Sequence, residues 1–170
     1  MKNLKLAVLL LTAFLLLAVV GCDAKKTADL ENGLEFEQVN TFEKVLKENP
    51  NGVLANRNGD NMRTQIMTFQ FIDGNKVYFG TNVEKPLYKQ LVENPYVSYC
   101  TFPSDFKPVL SLNGKVVFTE DREIKARALE GEYLSKYYKS PDDPNLKVFY
   151  IDVDEIETYG NDGVKIYRAK

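Results

Sequence analysis

Three side chains that could hold a phosphate group are spaced so that a simple fold could bring them together. Arg63 begins a β-type run, Thr81 ends the next such run, and Lys85 precedes Pro86, which suits the first turn of a helix because an N–H there has no helical partner. If the two runs pair as a hairpin, the start of one lies beside the end of the other. A guanidinium, an ammonium, a hydroxyl and the free N–H groups of a helix start can together bind phosphate. The residues alone favour the plainer alternative of two exposed charges and a strand-end hydroxyl.

The composition excludes several other kinds of site. The chain has 170 residues, of which 44% are hydrophobic and 27% are charged, as expected for one globular domain. A net charge of −2 does not indicate a nucleic-acid-binding protein. The complete absence of histidine excludes Ser-His-Asp and Cys-His catalysis, zinc sites built on histidine and His-ligated haem. Two cysteines are too few for a disulfide scaffold or a four-cysteine metal site, so no metal is expected.

The remaining polar and aromatic features have ordinary structural interpretations. Asp142 and Asp143 are expected in a solvated loop rather than in a metal site. Cys100 lies in an apolar run and is expected to be a small core residue. Tyr137 and Tyr138 are expected to be core or subunit-contact residues, with a stacking wall as the alternative.

The N-terminus resembles a bacterial lipoprotein signal. Lys2 and Lys5 precede an apolar run from Leu6 to Val20, which falls short of the ~20 residues that span a bilayer and so disfavours a simple transmembrane anchor. The run ends in Val-Val-Gly-Cys, which is similar to a lipobox, in which the cysteine, here Cys22, is acylated. We therefore expect a signal peptide over 1–21, a lipidated cysteine with a polar tether over 22–35, and a domain over 36–170. The expected location is the extracytoplasmic face of the cell membrane.

The periodicity of the domain predicts mainly β structure. Apolar residues at helical spacing predict a short helix around Phe42 to Leu46, ended by Asn49-Pro50. Three β-type runs separated by Asn-Gly and Asp-Gly turns predict a three-stranded meander over 52–81. A second helix starts at Pro86, and a third is capped by Thr119 or Asp121 and runs to about Leu134. About seven strands in all favour a closed antiparallel barrel with two or three short helices.

An ordered set of short motifs resembles one known family. The residues that carry the likeness are Gly52-Val53-Leu54-Ala55, Asn58-Gly59, Arg63, Asp73-Gly74, Val77-Tyr78-Phe79, Thr81, Leu91 and Asn94-Pro95-Tyr96-Val97. They resemble the pyridoxamine 5′-phosphate oxidase-like family, closest to the branch that includes nitroimidazole-resistance-type proteins. The resemblance covers about residues 38–159.

The resemblance implies a fold, a cofactor and an assembly. The family has an antiparallel split β-barrel with short helices, forms homodimers and binds FMN at the dimer interface. Its phosphate contacts correspond to Arg63, Thr81 and Lys85 of this chain. The segment Thr64-Gln65-Ile66 would lie beside the isoalloxazine ring, and Phe79-Gly80 beside the ribityl chain.

Two departures narrow the expected function. The true oxidases hold their substrate with a C-terminal segment that contains Arg and His, whereas this chain ends in Val164 to Lys170 without histidine, so pyridoxamine phosphate oxidation is not expected. Lys85-Pro86-Leu87 replaces the Ser and basic pair that the family often has, which leaves the number of phosphate contacts open. The expectation is a membrane-tethered FMN-binding protein that passes electrons to a small acceptor. The alternative is a non-catalytic lipoprotein that binds a flavin or another small ligand, and the sequence leaves open whether the protein is an enzyme.

Overall fold

The computed structural model of the chain describes residues 29–32 and 36–168, and these form one sheet with short helices. The helices are α1 (Phe36–Glu48), α2 (Pro86–Glu93) and α3 (Arg122–Ala128), with a 3₁₀ turn at Leu134–Lys136. The strands are β1 (Asp29–Asn32), β2 (Asn51–Asn58), β3 (Asn61–Thr68), β4 (Phe71–Asp73), β5 (Lys76–Asn82), β6 (Tyr96–Thr101), β7 (Val109–Thr119), β8 (Leu146–Gly160) and β9 (Gly163–Arg168). The predicted mainly antiparallel β fold with short helices is confirmed. The expected signal peptide and Cys22 lie outside the described residues.

The long strand β8 is where the barrel splits. Along one side it pairs with β7, and on the other side its first half pairs with β5 and its last residues pair with β9. The main path of the sheet runs β1-β9-β8-β7-β6-β2-β3, while β5 leaves this path at β8 and carries β4. The pairing of β1 with β9 is parallel. Residues 29–32, which the sequence placed in a polar tether, therefore form a strand at one end of the sheet.

The predicted three-stranded meander over 52–81 is wrong. β2 and β3 pair as expected, but β5 pairs with β4 and β8 and not with β3. The cause is a break in the long β-type run at Phe69 and Gln70. The Phe69 amide donates to the Pro50 carbonyl at 2.6 Å and the Gln70 amide to the Tyr78 carbonyl at 3.0 Å, which ends one ladder and starts the next. Because Phe69 is buried, the chain turns into the core at this point and enters β4 in a new direction.

Two helices differ in length from their predictions. Asp121 caps α3 as predicted, since its carboxylate accepts from the amides of Glu123 and Ile124. The helix nevertheless ends at Ala128, because the Leu129 amide is shared between the carbonyls of Lys125 and Ala126 as the last turn tightens. The predicted extension to Leu134 is wrong. Helix α1 begins at residue 36 and is longer than the predicted segment.

The core has two parts, and the second part forms a wall of the site. The barrel interior contains fully buried side chains from several strands, among them Leu54, Phe79, Tyr99, Leu110 and Phe149. The second cluster lies between strands β4, β5 and β8 and the segment from α3 to residue 138, and contains Phe71, Tyr78, Ala128, Leu134, Tyr138, Leu146 and Val148. Within residues 29–32 and 36–168, no helix is long and apolar enough to cross a membrane.

Candidate functional site

A two-part cleft lies where β3, the end of β5, the start of α2 and the segment from residue 133 to 145 meet. The larger part, here called the main cleft, has a volume of about 680 Å³. The adjoining part, the side cleft, has a volume of about 540 Å³ and is bordered by β3 and α2. The two parts share Gln65, Lys85, Pro86 and Leu87 along their common border. Volumes of this order are typical of small-molecule and cofactor sites.

The structure brings most of the predicted site residues to this cleft. Arg63 and Thr64 line the side cleft, and Gln65 and Lys85 line both parts. Ile66, Gly80 and Thr81 line the main cleft. Arg63 and Thr81 therefore border one connected space, although their strands do not pair as the sequence had suggested.

Phe79 is the predicted site residue that the structure places elsewhere. Its side chain is fully buried in the barrel interior, with its ring centroid 4.8 Å from that of Tyr99 and 5.6 Å from that of Phe149. Successive residues of a strand face opposite sides, so Phe79 faces the core while Gly80 faces the cleft. A Cβ on Gly80 would lie 2.5 Å from Leu134 Cδ1, so only glycine lets the 3₁₀ turn close against β5.

Charge is distributed unevenly along the cleft. The side cleft is lined by two cations, Arg63 and Lys85, and its lining contains no acidic residue. The main cleft also contains Lys85 but adds the carboxylates of Glu84 and Asp143. An anionic group is therefore favoured at the Arg63–Lys85 end, where Arg63 can offer a planar fork of donors and Lys85 a point charge.

Thr81 provides the clearest sign of a missing ligand contact. Thr81 is 4% exposed, and its Oγ1 is the one buried side-chain polar atom without a hydrogen-bond partner among the described residues. A buried hydroxyl without a partner costs about 1–3 kcal/mol, so such groups are rare unless something else satisfies them. Because Thr81 lines the main cleft near Lys85, a ligand oxygen there would remove this cost.

The turn before α2 holds Lys85 at the border of the two clefts. Asn82 Oδ1 accepts from the Glu84 amide at 2.8 Å, and the Asn82 carbonyl accepts from the Lys85 amide at 3.1 Å. Lys85 is the N-cap residue in extended conformation, and no side chain caps the helix. Pro86 follows at the first helical position, so the start of α2 leaves its partial positive charge beside the cleft.

Tyrosines from the 133–138 segment line the other side of the main cleft. The rings of Tyr133 and Tyr137 lie 5.4 Å apart edge to face, and Tyr137 is 65% exposed. Tyr138 is buried, and this burial raises the pKa of its phenol above the ordinary value. The prediction of a core residue therefore applies to Tyr138, whereas Tyr137 fits the alternative of a stacking wall. A planar ligand could stack against this wall.

Several cleft residues were not predicted from the sequence. They are Asn58, Asn82, Glu84, Leu87, Gln90, Tyr133, Leu134, Asp143 and Asn145. The spacing of Tyr133, Tyr137 and Tyr138 is the one signal that could have pointed to part of this set.

Asp142 lies in an exposed loop and pairs with Arg122 at 3.1 Å, and Cys100 is half-buried. Among the described residues, no group of three or more metal-ligating side chains converges.

Comparisons with known proteins agree with this architecture. Residues 40–160 match the protein family described as pyridoxamine 5′-phosphate oxidase. No curated protein sequence matches the chain significantly.

Solved structures similar to the chain include two that are more than 25% identical to it in sequence. A NimC/NimA family protein from Clostridium acetobutylicum is 28% identical with a TM-score of 0.70, over 78% of this chain and 93% of that one. A putative pyridoxamine 5′-phosphate oxidase from Listeria innocua is 27% identical with a TM-score of 0.61, over 70% of this chain and 95% of that one.

The fold also occurs in a more distant protein. A heme binding protein from Mycobacterium smegmatis is 16% identical with a TM-score of 0.62, over 75% of this chain and 59% of that one. At this identity the likeness concerns the fold alone.

Proposed function

Because this chain belongs to the pyridoxamine 5′-phosphate oxidase family, we propose that its cleft binds FMN. In this proposal the protein is a flavin-dependent oxidoreductase that is tethered to the membrane and passes electrons to a small acceptor. The observation that carries the proposal is Thr81 Oγ1, a buried hydroxyl without a partner among the described residues. Thr81 and Lys85 both line the main cleft, and Lys85 and Arg63 both line the adjoining side cleft. A phosphate monoester carries about 1.5 to 2 negative charges near neutral pH and offers several acceptor oxygens. Such a group would pair with the two cations of the side cleft, and a further oxygen of the same ligand in the main cleft would accept from Thr81.

The residues of the cleft take distinct parts in this proposal. Arg63 and Lys85 bind the phosphate at the side cleft, and Thr81 donates its hydroxyl hydrogen to a ligand oxygen. When bound, FMN supplies the redox chemistry, since it accepts and releases electrons at its ring. Tyr133 and Tyr137 cover the main cleft and exclude water from the ring.

We also propose that the protein forms the homodimer that the family resemblance implies, and the exposed edge of β3 supports this. In the described part of the chain β3 pairs on one side only, with β2, and most of its residues are exposed. Met62 and Ile66 are 62% and 70% exposed. An open strand edge with large apolar side chains is costly in a monomer, and a second copy of the chain would cover it. A partner there would also stand beside Arg63 and Gln65 at the cleft.

The test of the proposed function is a ligand titration followed by a turnover assay. FMN added to the purified protein should lose its fluorescence as it binds, and NAD(P)H with an acceptor should then reduce the acceptor catalytically. Tight FMN binding without turnover for any donor and acceptor pair would make the protein a flavin carrier. A haem absorption band with no affinity for FMN would contradict the proposal, and since the chain has no histidine, such a haem would need a different axial ligand.

The membrane tether is tested separately. Cys22 follows Val19-Val20-Gly21, and a thiol-linked lipid with two buried chains would anchor the protein firmly. We expect Cys22→Ser to leave an unprocessed or soluble product, measured by mass spectrometry and membrane fractionation. A Cys22→Ser protein found in membranes at the mature mass would show that the lipobox interpretation is wrong.

A further inference from the structure

Three amide side chains form a hydrogen-bonded relay behind the cleft. Gln65 Nε2 donates to Asn56 Oδ1 at 3.0 Å, and Asn56 Nδ2 donates to Gln90 Oε1 at 2.9 Å. The three residues stand on β3, β2 and α2, and Asn56 in the middle is completely buried. The relay thus connects the strand and the helix that border the side cleft.

The direction of the relay is fixed by one backbone carbonyl. Asn56 Nδ2 also donates to the Arg57 carbonyl at 3.0 Å, and a carbonyl can only accept a hydrogen bond. The amide nitrogen of Asn56 must therefore face this carbonyl, and its second hydrogen must find an acceptor, which is Gln90 Oε1. Asn56 Oδ1 in turn needs a donor, which is Gln65 Nε2. A reversal of any one amide would place two donors or two acceptors against each other.

This direction decides what the two glutamines offer to a ligand. Gln65 donates from Nε2 within the relay, so its Oε1 is left to accept a hydrogen bond from a ligand. Gln90 accepts at Oε1 within the relay, so its Nε2 is left to donate to a ligand. Both residues are half-buried, and neither free atom is among the buried polar atoms without a partner, so both reach accessible space. Gln90 lines only the side cleft, together with Arg63 and Lys85, whereas Gln65 also lines the main cleft.

We propose that Asn56 is a positioning residue that turns the Gln90 amide donor toward the anionic end of the ligand and the Gln65 acceptor toward its polyhydroxylated or N–H-bearing part. The inference rests on the proposed function and extends it to selectivity. The relay favours a ligand with a phosphate at one end and hydroxyl or N–H donors beyond it. FMN fits this order, and riboflavin lacks the group that Gln90 would bind.

The test compares FMN and riboflavin affinities of the full-length protein in detergent. Ionised Asn56→Asp has no donor but keeps an acceptor for Gln65, so Gln90 must turn its nitrogen toward Asp and its oxygen toward the side cleft. Burial favours the neutral acid, which can still donate to Gln90, so the affinities are measured at a pH high enough to ionise this carboxyl. We expect FMN binding to weaken about tenfold or more, and riboflavin binding to change less than threefold. Asn51→Asp is the control for the added charge, because it places the same charge at an exposed position of the same strand and still accepts from the Thr68 hydroxyl. This control should leave both affinities within twofold.

A double-mutant cycle separates positioning from the added charge. Gln90→Met removes the donor itself, so in that background Asn56→Asp should weaken FMN less than threefold further. If the full effect of Asn56→Asp persists there, the charge acts directly and the inference is wrong. If Asn56→Asp weakens the binding of FMN and of riboflavin equally, Asn56 has only a structural role and the inference is also wrong. If Asn56→Asp does not fold, as judged by circular dichroism, the uncharged Asn56→Leu takes its place. Asn56→Leu releases Gln65 as well as Gln90, so FMN should again weaken about tenfold or more, and riboflavin should weaken less than FMN. If the parent protein does not bind FMN, the proposed function and this inference are both wrong. If the parent binds FMN but the variants do not behave as expected, only the inference about the relay is wrong.

Discussion

Arg63, on an edge strand, and Lys85, at the start of a helix, line the same end of the cleft without a carboxylate between them. The protein as a whole has a net charge of −2, so this local excess of positive charge runs against its average. Both residues are exposed, so solvent screens their mutual repulsion and an anion in the side cleft can reach both. Neither residue has an ion pair among the described residues that would explain its position otherwise.

The first prediction concerns these two cations. Arg63→Ala and Lys85→Ala should each weaken FMN about ten- to a hundredfold, since a charge-assisted contact contributes roughly 1.5–3 kcal/mol. Riboflavin should bind the parent weakly and respond little to either change, because it has no phosphate. Parallel titrations of FMN and riboflavin measure both effects. If FMN affinity stays within twofold in both variants, or if riboflavin loses just as much, the phosphate site lies elsewhere.

The second prediction is that removal of the Thr81 hydroxyl stabilises the ligand-free protein but weakens FMN binding. Thr81→Val has nearly the same shape and removes the buried hydroxyl, which should raise the free energy of unfolding of the ligand-free protein by about 1 kcal/mol. The same change should weaken FMN about tenfold, because one hydrogen bond to the ligand is lost. Thermal unfolding and an FMN titration on the same samples provide both values. Thr81→Ser keeps the hydroxyl and serves as the control, and a Thr81→Val protein that is both less stable and equally tight for FMN would contradict the prediction.

The sequence allowed the cleft residues to be predicted only where local patterns determine their position. Lys85 could be placed at a helix start because Pro86 fixes the first turn. The family resemblance placed both Phe79 and Gly80 beside the ligand, but successive residues of a strand face opposite sides, and in the structure Gly80 lines the cleft while Phe79 lies in the core. The neighbour of β5 could not be predicted, because the break at Phe69 depends on the distant Pro50 carbonyl.

The hydrogen bonds between the three amides of the relay could not be predicted from the sequence at all. Asn56 lies in the middle of a strand and reads as an unremarkable polar residue in the sequence. Its partner Gln90 is 34 positions away, and Gln65 belongs to the neighbouring strand. The packing of α2 against β2 brings Gln90 to Asn56, and the pairing of β2 with β3 places Gln65 beside it. Long-range contacts of this kind carry no periodic signal in a single chain.

The third prediction is a negative result with a structural reason. In the true oxidases a C-terminal Arg- and His-containing segment is expected to hold the substrate, but here residues 163–168 form β9, which pairs with β8 and β1. None of the residues that line either cleft belongs to β9. The FMN-loaded protein should therefore produce no hydrogen peroxide when pyridoxamine phosphate is added, as followed by a peroxidase-coupled assay. Clear peroxide production above a no-substrate control would refute this prediction.

The last prediction concerns the pH dependence of stability and involves a charge cluster away from the cleft. Glu120 accepts from Lys147 Nζ at 2.6 Å and from Lys125 Nζ at 3.3 Å, and the Lys125 side chain is only 8% exposed. The hydrogen bond from Lys147, followed by that from Lys125, lowers the pKa of the Glu120 carboxyl in the folded protein. A carboxyl with a lowered folded pKa stabilises the protein fully above its unfolded pKa, and this stabilisation is lost as the pH falls through the folded pKa.

The variant Glu120→Gln should therefore destabilise the protein at pH 7 and lose this effect in acid. The Glu120 side chain is 64% exposed, so solvent screens the pair, and we expect a loss of roughly 1 kcal/mol at neutral pH. Urea unfolding of the parent and the variant between pH 7 and pH 3 should show the difference shrinking as the parent's carboxyl is protonated. Glu130→Gln is the control, because Glu130 is exposed and forms no ion pair in the described part of the chain. A difference that stays constant across this range would mean that Glu120 acts through packing or hydrogen bonding alone, without a contribution from its charge.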